Sequence, residues 1–349
     1  MVASLLRALR SPRPSRWRWV PVVTLTAWCF DGAASAAEDP RSPPADVAAF
    51  VGGAQVSRGA VDAVVQRLNP AAIAGAEQRR RAEATVLEQL IDEQILRAAL
   101  TRHLIEVAES EVKAGVERLK GQIAARGMTL EAFLAETGRT QDSLRDQVRL
   151  EVGLEKYVRP RMTPAVIEAA FAEHRRDLDG TRLKVSHIVL RPVIIDEDGV
   201  TKEMQEADRI RRDVLQGRLT FEEAARRHSA GPSRHRGGDL GWIARDGPMV
   251  DAFSRPVFAL AKGEISKPFV TPFGIHVAKI TEVEAGRAGL EAVRSKVERL
   301  AATRMIRELV AKGRADTPIR YAPGVPHFDP ATPADGPEPR RVIMNPAAE

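Results

Sequence analysis

Apolar residues recur along this chain with two different periods, and the change of period divides it. Over residues 79–104, Leu87, Leu90, Ile91, Ile95 and Leu104 fall at helical spacing with charges between them, which predicts a long amphipathic helix. Two shorter helices are predicted over about 109–126, stopped by Gly127, and about 130–136, stopped before Gly138. Thr140 and Thr163-Pro164 read as the starts of two more, because a threonine oxygen accepts from free first-turn amides and proline is tolerated at the first helical position. Ahead of these, 47–51 and 54–56 read as short strands joined by Gly52-Gly53, with Ser57 as the cap of the next helix. Residues 57–178 are therefore expected to be almost all helix.

Asp177 to Gly180 breaks the helical pattern, and a β-type run from Leu183 to Leu190 ends before Pro192, which puts a domain boundary near 179. A helix over 203–216 follows, and Thr220-Phe221-Glu222-Glu223 matches a capping box that opens another. Residues 269–271 and 276–281 read as a closing pair of strands around Pro272-Phe273-Gly274. A helix over about 290–312, carrying Leu300, Met305, Leu309 and Val310, is too apolar to stand alone and is expected to pack back on the 57–178 helices. The tail from Pro323 is rich in Pro, Asp and Ala without period and is expected to be flexible coil.

The fold class predicted is α+β. A helical domain over 37–178, completed by a helix within 287–313, precedes a domain over 179–284 with a small antiparallel sheet flanked by helices. A C-terminal helix and return segment (285–322) and the tail (323–349) follow. The length, 349 residues, fits two or three domains at roughly 100–200 residues each.

Charge changes this picture at the N-terminus. Arg7, Arg10, Arg13, Arg16 and Arg18 precede an apolar stretch from Trp19 to Phe30 and then Ala34-Ser35-Ala36, the layout of a cleaved secretory leader. The apolar stretch is shorter than the roughly 20 residues that span a bilayer. Removing residues 1–36 takes away five Arg and one Asp and lowers the net charge from +6 to +2, so the basic balance gives little reason to expect nucleic acid. Cys29, the single cysteine, leaves with the leader, which excludes disulfide, thiolate and Cys–metal chemistry from the mature chain. Bulky Trp28 before it argues against a lipid anchor.

Three motifs lie in the second domain: Ser186-His187-Ile188, Gly237-Gly238-Asp239-Leu240-Gly241-Trp242 and Phe273-Gly274-Ile275-His276. The glycines of the second motif permit positive φ and close backbone approach, Asp239 can accept from neighbouring amides, and Leu240 and Trp242 are expected to face opposite ways as the turn enters an edge strand. Taken singly, a buried histidine, Phe253 or Met249 is more often core than site. Two histidines without a third ligand make zinc an unsuitable reading.

In order and spacing, with Gly263-Glu264-Ile265-Ser266 between the last two, these motifs resemble the parvulin (PpiC, or rotamase) family of peptidyl-prolyl isomerases. The resemblance implies His187 and His276 on adjacent central strands, hydrogen-bonded to each other and to a hydroxyl that Thr271 could supply. It implies Leu240, Met249, Phe253 and Phe273 as the apolar residues that hold the proline, and no cofactor or metal. Such a site would act without a covalent step, since the rotational barrier of about 18–20 kcal/mol arises from amide resonance and is lowered by holding the twisted form. The sequence departs from the family seven residues before Gly238, where a Cys or Asp is usual and Gly231 stands. The polar side is therefore expected to be incomplete and activity reduced, with Ser229 or Ser233 reaching the site only through a loop rearrangement. Leu190-Arg191-Pro192 offers one cation where a phosphate-reading site would need a pair.

The whole layout is similar to exported parvulin chaperones of the SurA and PrsA type. It implies unfolded or newly exported polypeptides with X-Pro bonds as partners and a soluble periplasmic location; peripheral proximity to a membrane and the oligomeric state stay open. Two readings stand side by side: an isomerase that is also a folding chaperone, or a holding chaperone whose parvulin domain only binds peptide.

Overall fold

The computed structural model describes residues 46–68, 73, 75–191, 197–332 and 340–346; the expected leader with Cys29 and part of the expected tail lie outside them. In chain order the elements are β1 (Val47–Val51), β2 (Ala54–Ser57), α1 (Arg58–Val65), α2 (Ala76–Arg102), α3 (Glu109–Ala124), α4 (Leu130–Thr137), α5 (Gln141–Val158), α6 (Pro164–Glu173) and β3 (Arg182–Leu190). They continue with α7 (Glu197–Leu215), α8 (Phe221–His228), β4 (Asp239–Ala244), α9 (Asp251–Phe258), β5 (Phe269–Thr271), β6 (Gly274–Glu284), α10 (Leu290–Asp316), β7 (Ile319–Tyr321), β8 (Pro326–Phe328) and β9 (Val342–Met344). Contacts divide the chain into two units: one of the residues up to Thr163 and from Arg299 on, the other of Pro164–Glu298.

Local chemistry sets most of these boundaries. Ser57, Thr129, Thr140 and Thr220 each accept a first-turn amide with the side-chain oxygen, and Gly138 closes α4 in the left-handed region at φ 57°. In the helical unit β1 is the centre of a β2-β1-β7 sheet, with Ala49 opposite Tyr321 and Val51 opposite Ile319. Its apolar residues pack with Leu87, Ile91 and Ile95 of α2. Farther along α2, Leu96 and Leu100 meet Leu150 and Leu154 of α5 and Ala302, Ile306 and Leu309 of α10, so the apolar stripe of the returning helix is covered from Arg299 onward.

Two expectations are corrected here. The tail from Pro323 is not wholly coil: β8 and β9 pair antiparallel, and Pro326, His327 and Phe328 are buried. His327 stacks on Tyr321 with ring centroids 3.9 Å apart, and Arg340 lies 4.3 Å over the Phe328 ring while pairing with Glu88 at 2.5 Å. Three-residue strands are too short to show a period, which is why the pattern missed them. The segment Pro164–Leu178, expected with the helices, belongs by contact to the β unit. Arg176 donates to the Leu260 carbonyl, Asp177 pairs with Arg245 at 3.2 Å, and the Asp179 carbonyl accepts from Ala288 at 2.9 Å.

In the β unit the sheet order is β4-β3-β6-β5, antiparallel throughout. Odd residues of β3 (Leu183, Val185) join Ala278 and Ile280 of β6 under α9, while Ile188 and Leu190 join Ile275 and Val277 under α7 and α8. Both faces of the sheet are thus covered. In the β3–β4 ladder Val185 faces Gly241 and Ser186 faces Asp239, which leaves Leu240 as the extra residue of a bulge. The bulge puts Leu240 against the α9-side core and Trp242 on an exposed surface beside Arg182, the opposite orientations expected of them.

Candidate active site

His187 on β3 and His276 on β6 project from the α9 side of the two central strands. They are offset by one diagonal step, since Val189 is the residue opposite His276 and Ala278 the one opposite His187. Their Nδ1 atoms are 3.3 Å apart, and His276 Nε2 is 2.8 Å from Thr271 Oγ1 on β5. The Phe273 backbone N–H donates to the same hydroxyl at 3.1 Å, which fixes the β5–β6 turn around it. The structure therefore brings His187, His276 and Thr271 into one hydrogen-bonded row.

The row does not stop at His187. Its Nε2 is 3.0 Å from Ser233 Oγ, and Ser233 is only 3% exposed. Ser233 is held there by a short 3₁₀ turn, Pro232–Arg236, whose backbone is tied to the site: its carbonyl accepts from Gly238 N at 2.9 Å, and the Gly238 carbonyl accepts from His187 N at 2.9 Å. Gly238 has φ 87°, and a Cβ there would sit 2.4 Å from the His187 carbonyl oxygen, so only glycine fits.

As far as the polar partner of His187 is concerned, the expectation drawn from Gly231 is corrected accordingly. A Cβ at 231 would point at His187 Nε2 from 3.4 Å, so the position does face the site, but it would also stand 2.8 Å from Val189 Cγ1. Ser233 already supplies the polar partner with no rearrangement of the loop. Ser229 serves the backbone instead: its hydroxyl accepts from Val189 N at 3.1 Å and Gly231 N at 3.3 Å, and Ala230 N donates to Val189 O at 2.8 Å. Sequence reasoning named Ser233 but expected it to reach the site only through a loop rearrangement; the Pro232-Ser233 pair ahead of Gly238 was the available signal.

Apolar side chains wall the histidine pair. Phe253, 3% exposed, sets its ring nearly perpendicular to both imidazoles, with centroids 5.8 Å from His187 and 5.3 Å from His276. Leu240 and Met249 are half-buried against the same core. Phe269 was not foreseen: it stacks on His276 at 5.6 Å and 18°, and it shares a strand face with Thr271 at i, i+2. Phe273 is 60% exposed at the turn tip, and its side chain makes no ring contact in the cluster among the described residues.

The electrostatics follow from this burial. Desolvation lowers the His187 pKa to about 4. The same desolvation, then the neighbouring His187 and Arg191, lowers that of His276 to about 3. Both rings are neutral at physiological pH. A hydrogen bond across the Nδ1–Nδ1 gap takes a single proton, so it couples the two tautomers. Either Ser233 donates to His187 and His276 donates to Thr271, or every donor in the row reverses. The arrangement has hydrogen-bonding capacity in both senses, no charge and an apolar wall, and both hydroxyls that meet an imidazole, Ser233 and Thr271, are buried.

Residues 187–282 match the family described as "Rotamase: PPIC-type PPIASE domain". The foldase protein PrsA of Bacillus subtilis is 29% identical over 204 residues, covering 58% of this chain and 61% of that protein. The chaperone SurA of Idiomarina loihiensis is 40% identical over 111 residues, covering 32% of this chain and 24% of its own. A solved peptidylprolyl isomerase (PrsA) from Bacillus anthracis overlaps 65% of this chain and 96% of its own at 21% identity, with a TM-score of 0.37. The chain thus spans about three fifths of the length of the first of these curated relatives and about a quarter of the second. The segment that holds both histidines, Thr271, Ser233 and Phe253 is a rotamase domain of the PPIC type, in a chain related to the PrsA foldases and SurA chaperones.

Proposed function

We propose that the protein is an exported peptidyl-prolyl cis-trans isomerase and folding chaperone, acting on X-Pro bonds of unfolded or translocated polypeptides. The observation that carries this reading is the uncharged row Ser233–His187–His276–Thr271 lying edge-on to Phe253. Leu240, Met249 and Phe253 grip the proline ring, and Phe273 contacts the peptide at the rim. Rotation about the C–N bond then needs only preferential stabilisation of the twisted amide, whose nitrogen becomes a better acceptor and whose carbonyl loses resonance. Neutral imidazoles with coupled tautomers can present a donor or an acceptor without the desolvation cost of a buried charge. Each roughly 1.4 kcal/mol gained in the twisted form over the planar one gives about tenfold in rate.

The reading of a module that only holds peptide drew its motive from the missing side chain at Gly231; Ser233 on His187 Nε2 removes that motive. The test is the cis-to-trans rate of an X-Pro peptide, run beside suppression of client aggregation. Acceleration lost in Phe253→Ala and His276→Ala supports catalysis, whereas unchanged peptide kinetics with strong aggregation suppression would leave holding alone. Export through the leader-like residues 1–36 belongs to the same reading, and N-terminal sequencing of the secreted protein should start near Ala37. No described helix is long and apolar enough to cross a membrane.

A further inference from the structure

Four arginines surround the loop that delivers Ser233. Arg226 and Arg227 lie in the last turn of α8, and Arg234 and Arg236 lie on the 3₁₀ turn Pro232–Arg236. All four are exposed, and none forms an ion pair among the described residues. Other arginines of this unit are paired: Arg209 with Glu206 and Asp213, and Arg245 with Asp177 and Asp251.

Three carboxylates stand near, and none closes on a guanidinium. Glu223 accepts from Thr220 N at 2.9 Å and Thr220 Oγ1 at 3.0 Å, and Asp239 Oδ1 accepts from Gly241 N at 2.8 Å. Glu222 packs beside Gly237, where an added Cβ would meet its own Cβ at 2.9 Å. The last turn of a helix suits the cations Arg226 and Arg227 through its dipole, a reason that Arg234 and Arg236 lack.

Those two are nevertheless held in place. Arg234 donates to the Arg226 carbonyl at 3.3 Å and Arg236 to the Asp239 carbonyl at 3.2 Å, one donor each of the five that a guanidinium carries. The anchors tie one to the end of α8 and the other to the bulge whose extra residue, Leu240, walls the site. Ser233, the partner of His187, immediately precedes Arg234. An anchored guanidinium loses less freedom than an untethered one when it takes a carboxylate.

We propose that Arg234 and Arg236 determine specificity, selecting X-Pro substrates in which a Glu or Asp adjoins the proline. This rests on the isomerase reading above. The pairs form at an exposed rim and strengthen planar and twisted amides alike, so they lower KM and leave kcat unchanged. Salt weakens them, because the screening length falls from about 10 Å at 0.1 M to about 3 Å at 1 M. Arg226 and Arg227 add to the same positive field and to the capture of an acidic chain at a distance.

The experiment measures kcat and KM of the full chain on peptides with Glu, Gln or Lys on either side of one proline, at low and high salt. In low salt kcat/KM should be about three- to tenfold higher for a Glu peptide than for its Gln counterpart, and lowest for Lys. The difference should lie in KM and shrink at high salt. The double variant Arg234→Gln, Arg236→Gln should bring the Glu-to-Gln ratio to about one, and each single variant should give an intermediate ratio, so the assignment does not depend on the double variant folding. A ratio of one in the wild type on both sides of the proline overturns the proposal and, where both peptides are accelerated, leaves the isomerase reading standing. Acceleration of no peptide ends that reading and this one with it. A ratio unmoved in the folded variants also overturns it, as does a ratio of one with phosphatidylglycerol vesicle binding that the double variant loses, which would give the patch to a membrane surface.

Discussion

At His187 the two ring nitrogens face different partners, His276 and Ser233, and a neutral imidazole serves both in only two ways, as donor to one and acceptor from the other. Removing Ser233 leaves Nε2 buried without a partner and frees the ring to choose its tautomer. Ser233→Ala is therefore expected to lower kcat/KM on an X-Pro peptide about tenfold, the equivalent of about 1.4 kcal/mol, with the domain still folded by circular dichroism. Ser229→Ala differs in kind, since it strands the Val189 and Gly231 amides; it should cost about 1–3 kcal/mol in urea unfolding and affect catalysis only through stability. Placing the family's side chain at 231 should not help. Gly231→Asp brings a Cβ 2.8 Å from Val189 Cγ1 beside a partner already in place, and it is expected to lose stability without gaining rate. Phe253 stands in no motif and came from the family resemblance alone, whereas His187 and His276, each in a short motif of fixed spacing, and Thr271 beside one, were legible. Ser233 was not, because what delivers its hydroxyl is the curl of a 3₁₀ turn, and a linear count from Gly238 measures sequence rather than reach.

Among elements, the long helices and β3 declared themselves through apolar spacing, and their ends through Ser57, Thr140, Thr220 and Gly138, whose caps depend on one residue each. What stayed hidden depends on distant partners. β7 exists because Ala49, Phe50 and Val51 of β1 offer a free edge, and β8 exists because α2 and Tyr321 cover it; three residues carry no period of their own. The tail strand matters to the helical unit through Phe328, which is buried and flanked by Arg340 at 4.3 Å and Arg81 at 6.0 Å. Phe328→Ala should destabilise that unit by about 3 kcal/mol while leaving the unfolding of the β unit unchanged, as read by scanning calorimetry. A chain with a truly flexible tail would tolerate the change without a shift.

Across the molecule, the two units bury titratable groups of opposite kind, so acid should act on them in opposite directions. His187 and His276 have pKa values lowered by burial to about 4 and about 3, against 6.5 in the unfolded chain. Above pH 6.5 their neutral forms are present in both states and the β unit has its full stability. As pH falls from 6.5 towards 4, the unfolded chain takes up protons that the folded unit refuses, and stability is lost. At about pH 5.5 that loss is roughly 1 kcal/mol per histidine. Glu93 and Glu151, raised by burial to about 7, carry the helical unit the other way over the same interval, because there the folded state holds the extra protons. Each unit has its own core, so thermal unfolding should resolve into two transitions whose separation depends on pH. Between about pH 8 and about pH 5.5 the transition of the β unit, identified by its downward shift in the Ser229→Ala background, should move down, and that of the helical unit should move up. Replacing both glutamates by glutamine should flatten only the helical response, and isomerase activity should decline in acid with the β unit alone.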